Sequence, residues 1–149
     1  MARSKEQNER MRESTREKIQ TAAVALFAEK GFSATSAKDI AERAGIAVGA
    51  MYHHYKSKEE VYAALLQAAT KELDGIHELT AKELMAEIEN ELKESLDFAR
   101  WISILPADYF RQMVDAFAKN MPRKEAENLV ANILGRCKLQ LILEGENND

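Results

Sequence analysis

Four helix stop and start signals packed between Lys30 and Glu60 constrain this chain more than any other feature. Lys30-Gly31 is a helix stop, with glycine free to take the left-handed conformation and lysine matching the negative end of the helix dipole. Ser36 followed by Asp39 is a start, the serine able to cap and the aspartate placed to return the hydrogen bond. Gly45 is a second stop, and Ser57 with Glu60 is a second start. Between these marks only two short helices fit, Ser36 to Ala44 and Val48 to about His54, joined by the turn Ile46-Ala47-Val48. Two short helices with a glycine-bearing turn have helix-turn-helix spacing, in which the second is sized for the major groove of DNA.

The flanking segments read as supports for this pair. Ile19, Ala22, Ala23, Leu26 and Phe27 form an i, i+3, i+4, i+7, i+8 stripe that predicts a buried-face helix ending at Gly31. Ser4 to Lys18, a mixed charge run, is expected to be a frayed arm turning helical toward its end. A fourth helix opens at Ser57, carries Val61, Leu65, Ala68, Ala69 and Leu73 on one side, and is expected to reach Gly75. The domain reading is a flexible basic arm over 1–11, a helix-turn-helix domain over 12–72 and a helical domain over 73–149.

In the second half Thr80 with Glu83 forms another capping box, and Leu84, Ile88, Leu92, Leu96 and Ala99 predict one long amphipathic helix. Phe98 to Leu105 is nearly all apolar and is expected to be buried in the fold or at an interface. Pro106 interrupts, a helix follows over about Ala107 to Lys119, and Pro122 starts the last one, about Arg123 to Leu143. Its apolar stripe, which includes Leu129, Val130, Ile133, Leu134, Cys137 and Leu141, is wider than one neighbour requires and points to a partner chain. No period-two strand run appears, so the fold class is all-α.

Charge separates the halves. Residues 1–62 hold 11 Lys or Arg against 9 Asp or Glu, a net of +2, whereas residues 63–149 hold 10 against 16, a net of −6. That asymmetry suits a DNA-facing half joined to a DNA-averse one. No apolar stretch is long enough for a membrane span, and the expectation is a cytoplasmic protein without a membrane partner. Cys137 is the single cysteine, which excludes an intrachain disulfide and fits a buried thiol. His53 and His54 are neighbours on a helix, point about 100° apart and have no third ligand nearby, so no metal is expected. No triad, phosphate loop or catalytic Cys–His pairing is present; the chain is read as no enzyme, and no cofactor is implied.

Ile19 to Leu66 as a whole, through Ala22-Ala23, Leu26-Phe27, Lys30-Gly31-Phe32, Ala34-Thr35-Ser36, Asp39-Ile40-Ala41, Ala44-Gly45, Gly49, Tyr52, His54 and Lys58-Glu59-Glu60, resembles the DNA-binding region of the TetR family of transcriptional regulators. The resemblance covers about a third of the chain closely and the remainder only as helical architecture. It implies a homodimer on double-stranded DNA, with Thr35 and Ser36 near a phosphate and Tyr52 and Lys58 on phosphates, Lys56 lying beside them. Ser36 also reads as a plain cap, and Tyr52 as a core ring with an exposed hydroxyl. Base reading falls to Ala47, Val48, Gly49, Ala50 and His53. Family members commonly have polar residues at the positions of Ala47, Val48 and Ala50, so apolar contact with thymine methyls is expected instead of hydrogen-bond readout, with low specificity, or reliance on DNA shape and the basic arm, as the alternative.

The resemblance further implies dimerisation through about Ala107 to Leu143 and release from DNA by an effector in the second domain. Trp101, Tyr109, Phe110 and Phe117 are the residues available to line a pocket for a small apolar effector, with core filling as the plainer role. Glu83, Glu87, Glu91 and Glu94 share one face and read as a solvated surface before a cation-sensing one. The conclusion from sequence is a DNA-binding regulator, a repressor by the family's default. The alternatives are an effector-independent DNA-binding protein and a helical protein-interaction module.

Overall fold

The structure is a computed structural model and describes residues 4–147. Among these, all regular structure is helical: α1 Lys5–Lys30, α2 Ala37–Ala44, α3 Val48–His54, α4 Lys58–Glu72, a 3-10 turn at Ile76–Glu78, α5 Ala81–Glu94, α6 Asp97–Ile104, α7 Ala107–Phe117 and α8 Arg123–Asn147. The chain divides into two compact units, one up to Leu65 and one from Leu66 onward, with the boundary inside α4.

In the first unit, residues 22–27 of α1 are all buried, together with Ile40 and Ala41 of α2, Met51 of α3 and Val61 and Leu65 of α4. The local signals act as expected. Ser36 Oγ accepts from the Asp39 amide at 3.1 Å while Asp39 accepts from the Ser36 amide at 2.9 Å. Gly31 and Gly45 end α1 and α2 at φ of 85° and 71°, a region that only glycine enters without steric cost.

The charged N-terminal run departs from expectation. A flexible arm was the reading through residue 11, but α1 is helical from Lys5, because Ser4 and Gln7 form a reciprocal capping box. The first three residues of that arm lie outside the described residues. Thirteen of the helix's first fourteen residues are thus solvent-facing yet continuous with its buried half, which carries Arg10, Arg12 and Arg16 on a rod rather than a tether.

The second unit packs α5, α6 and α7 on α8 around Ala99, Met113, Phe117, Ala126, Val130, Ile133 and Cys137. Thr80 and Glu83 cap α5 as predicted, and Pro122 precedes α8. The single long helix expected through Ala99 is instead two. Ser95 is extended at φ −158° and ψ 161°, and its Oγ accepts from the Asp97 amide at 3.1 Å, so the serine offers the backbone an alternative to continuing the helix. The break lets α6 turn Ala99 and Ile102 into the core.

The stripe assigned to a partner chain is mostly used within the unit. Leu129, Val130, Ile133 and Cys137 are 7%, 4%, 2% and 2% exposed, whereas Leu134 and Leu141 are only partly buried. The side chains that α8 leaves open are Leu139, Ile142 and Leu143, at 56%, 50% and 47%. Burial pushes the Cys137 thiol up to about 11, which makes it an inert packing residue.

Candidate nucleic-acid interface

The short helix α3 has one inward anchor and an open face. Met51 is fully buried and Tyr55, one turn on, is nearly so, its hydroxyl accepting from Gln20 Nε2 of α1 at 2.9 Å. With 3.6 residues per turn, Gly49 and His53 lie about 160° from that anchor and Ala50 about 100° from it. All three are exposed, as is Ala47 before them, and Val48 is half-buried. Tyr52 stands on the flank of this face with 51% of its surface accessible. A Cβ added at Gly49 would meet nothing within 4 Å, so the face has no ridge on it and a flat partner can come close to the backbone. Ala47 makes no side-chain cap for α3, as its side chain requires.

The phosphate-binding candidates separate. Ser36 is exposed and caps α2, whose first amides at Ala37 and Lys38 have no acceptor inside the helix and are open to an anion. Thr35 is different: it is 2% exposed, and its hydroxyl donates to the Gly31 carbonyl at 2.8 Å, so it holds the turn between α1 and α2. Lys58 also has work within the chain. Its ammonium donates to the carbonyls of Phe32 and Ser33 at 2.8 and 3.3 Å and sits 4.5 Å from the centre of the Phe32 ring. Phe32 in turn packs with Phe27 and Tyr62 at ring-centre distances of 5.2 and 5.6 Å, fastening the loop after α1 to α4. Lys56 is exposed, and its amide donates to the Glu60 carboxylate, while the Glu60 amide donates to Ser57 Oγ.

Electrostatics tie α1 to the same end of the unit. The His54 ring is held below its ordinary value by partial burial, by Arg16, by His53 and by Arg12, in that order. The two arginines of α1 therefore lie close enough to the end of α3 for their charge to be felt there. The sequence offers the basic arm as a DNA contact but not its place near α3, because a frayed arm has no fixed position. At the far end of α1, Lys30 pairs with Asp39 at 2.8 Å and Arg43 forms a two-pronged pair with Glu29 at 3.0 and 3.2 Å. The Lys30 and Ser36 bonds hold the Asp39 carboxyl at about 2, well under the ordinary carboxylate range, so the start of α2 stays capped at any physiological pH.

The second unit contains a cavity of about 740 Å³. Of the four aromatic residues expected to line it, Trp101 and Tyr109 do. Phe117 is 1% exposed and belongs to the core, and Phe110 packs edge-on against Tyr109 at 5.8 Å from outside the lining. Tyr109 donates to the Ala69 carbonyl at 3.0 Å, and burial with the nearby Glu72 charge raises its phenol to about 12. Among the described residues no cluster of His, Cys, Asp or Glu is arranged to hold a metal, and no helix is long and apolar enough to cross a membrane. The rings of His53 and His54 lie 6.2 Å apart, edge to face.

The family model described as bacterial regulatory proteins, tetR family, matches residues 19–65, the segment that builds this interface. The HTH-type transcriptional repressor KstR2 of Mycobacterium tuberculosis (strain CDC 1551 / Oshkosh) is 48% identical over 54 residues, covering 36% of this chain and 27% of the relative. The chain thus spans about a quarter of the length of the curated relatives it matches most clearly. Solved structures align over both units. A transcriptional regulator (TerR/AcrR family) from Aquifex aeolicus VF5 superposes with a TM-score of 0.53 and 29% identity over 87% of this chain and 85% of its own. The SmeT–triclosan complex superposes with a TM-score of 0.61 and 24% identity over 86% and 80%.

Proposed function

We propose that this protein, whose residues 19–65 match the family model of tetR-family bacterial regulatory proteins, is a cytoplasmic repressor that grips a pseudo-palindromic operator as a homodimer and lets go when a small molecule fills its second unit. The observation that carries the reading is the open face of α3, a helix anchored on its other side by the buried Met51. Side chains facing the major groove read it by hydrogen bonds to base edges or by apolar contact with thymine methyls. Ala47, Gly49 and Ala50 are small and His53 can bond, so methyl contacts with thymine near the start of α3 and one polar contact at its end are the expected readout. Ser36 with the open amides of α2, Tyr52, Lys56 and the arginines of α1 supply phosphate contacts. Thr35 and Lys58 serve by holding the turn that aims α2 and α3.

The dimer face on this account is the open side of α8, Leu139, Ile142 and Leu143, with half-buried Leu134 and Leu141 beside it. The effector reading rests on the cavity, whose volume falls within the range of about 300–1,000 Å³ that small-molecule sites occupy. A protein of the same fold was solved with triclosan. Binding would bias the dimer toward a spacing of the two α3 helices that no longer fits successive major grooves.

The alternative of a helical interaction module is separated by salt. Affinity for a random-sequence duplex is expected to fall by about 0.9 log units per log of salt for each phosphate neutralised. With five or so such contacts per dimer, raising salt fourfold, from 50 to 200 mM, weakens binding by roughly 500-fold. A salt-independent affinity, or none at 50 mM, contradicts DNA binding and favours the module.

A further inference from the structure

We propose that the cavity of the second unit is built for a lipophilic organic cation, its walls apolar and aromatic and its charged lining groups all carboxylates. The inference deepens the effector reading and rests on it for biological meaning, but the binding step stands apart from DNA.

The acidic face of α5 is where the argument begins. Glu83, Glu87, Glu91 and Glu94 share a stripe in sequence, and the fold gives them different tasks. Glu83 closes the cap on Thr80, and Glu94 faces a separate surface groove. Glu87 and Glu91 instead line the cavity, interleaved with Leu84 and Ile88 at helical spacing, and Glu72 of α4 lines it with them. The ion pairs formed among the described residues do not include these three carboxylates, and no lysine or arginine lines the cavity. Glu87 and Glu91 are one turn apart, where like charges repel and weaken a helix unless a counter-charge arrives.

The walls supply the other half of the recognition. Trp101 and Phe98 of α6 offer ring faces, the kind of surface on which a cation is attracted by the ring quadrupole. Ile102, Leu105 and Met113 supply apolar area for hydrocarbon substituents. The Tyr109 hydroxyl, a donor that an anion would seek, is already committed to the Ala69 carbonyl. An anionic ligand of equal size meets three repulsive charges and, among the described residues, no cationic partner; a neutral one gains only the walls; a bulky cation gains both.

Trp101 is the single tryptophan of the chain, so intrinsic fluorescence reports on this cavity without a label. The full-length protein, free of DNA, is titrated with tetraphenylphosphonium and with tetraphenylborate, ions of matching shape and opposite charge. Saturable change with phosphonium at an affinity at least about tenfold above that of borate is expected from three nearby carboxylates partly screened by water. The double variant Glu87→Gln, Glu91→Gln replaces exposed side chains and keeps the helix, and it is expected to reduce that preference to about threefold or less with an unchanged circular dichroism spectrum. Equal affinity for the two ions, saturation by neither, or a preference untouched by the double variant would overturn the cation assignment. Phosphonium binding that shows the preference but leaves duplex affinity unaltered keeps the cation site and contradicts its role as the effector switch.

Discussion

Ala50→Glu is expected to lower affinity for duplex DNA by at least about a hundredfold while shifting the melting temperature by no more than about 2 °C. Ala50 is exposed on α3, about 100° around the helix from buried Met51, so a longer side chain there meets solvent and costs the fold almost nothing. Docked in a groove, the new carboxylate comes within a few ångströms of phosphates, and a single repulsion at 4 Å in a partly wet interface is on the order of 4 kcal/mol. A dimer carries the charge twice. Electrophoretic mobility shift on a binding duplex, paired with thermal melting, reads both quantities. Undiminished DNA affinity would remove α3 from the interface, and a large melting shift would mean that Ala50 is packed after all.

Leu139→Glu combined with Ile142→Glu is expected to convert the proposed dimer into a monomer at micromolar concentration. These side chains lie three residues apart on α8 and are 56% and 50% exposed in the single chain. Burying the open half of each on both copies is worth roughly 3–6 kcal/mol at about 1.5–3 kcal/mol per fully buried large aliphatic side chain, and facing carboxylates reverse the sign. Operator affinity is expected to drop about 10²–10⁴-fold, because the second half-site is no longer delivered at high effective concentration. Sedimentation velocity checks the mass. Leu129→Ala is the control: Leu129 is 7% exposed within its own unit, so it should cost stability, about 2–5 kcal/mol, and leave subunit mass unchanged in the folded protein. A double variant that remains dimeric would move the interface elsewhere.

What could be read in the sequence was whatever depends on neighbours along the chain. Ser36 with Asp39, Thr80 with Glu83, Gly31, Gly45 and Pro122 each act on a backbone group within a few residues, and each stands where it was expected. The Ser4–Gln7 box is the same kind of signal and was overlooked beneath a run of charges. Ser95 was missed for a different reason: Leu92 and Leu96 keep helical spacing across it, and only the pull of α6 into the core makes the serine's side-chain bond the better choice.

Contacts between distant residues were beyond reach. An apolar stripe states that a helix has a covered face, not what covers it, so Leu129 and Ile133 on α8 read as a partner surface when α5, α6 and α7 already occupy that side. The same limit applies to Lys58 and Thr35, whose partners are carbonyls of the loop after α1 and of its last turn. Trp101 and Phe117 look alike in sequence; one faces the cavity and the other fills the core. Arg12 and Arg16 gained a place near α3 only when the arm proved to be a helix.

The most direct test of a dimer that reads DNA with α3 is selection of bound duplexes from a random-sequence pool at moderate salt, run in parallel with Tyr52→Ala. Tyr52 stands beside the reading face with 51% of its surface exposed. The account predicts enrichment of an inverted repeat with half-sites about 34–36 Å apart, thymine-rich where the start of α3 lies, and loss of enrichment in the variant. Recovery of no common sequence by a folded, dimeric wild-type protein, or of an unpaired half-site that the variant selects equally well, would contradict it.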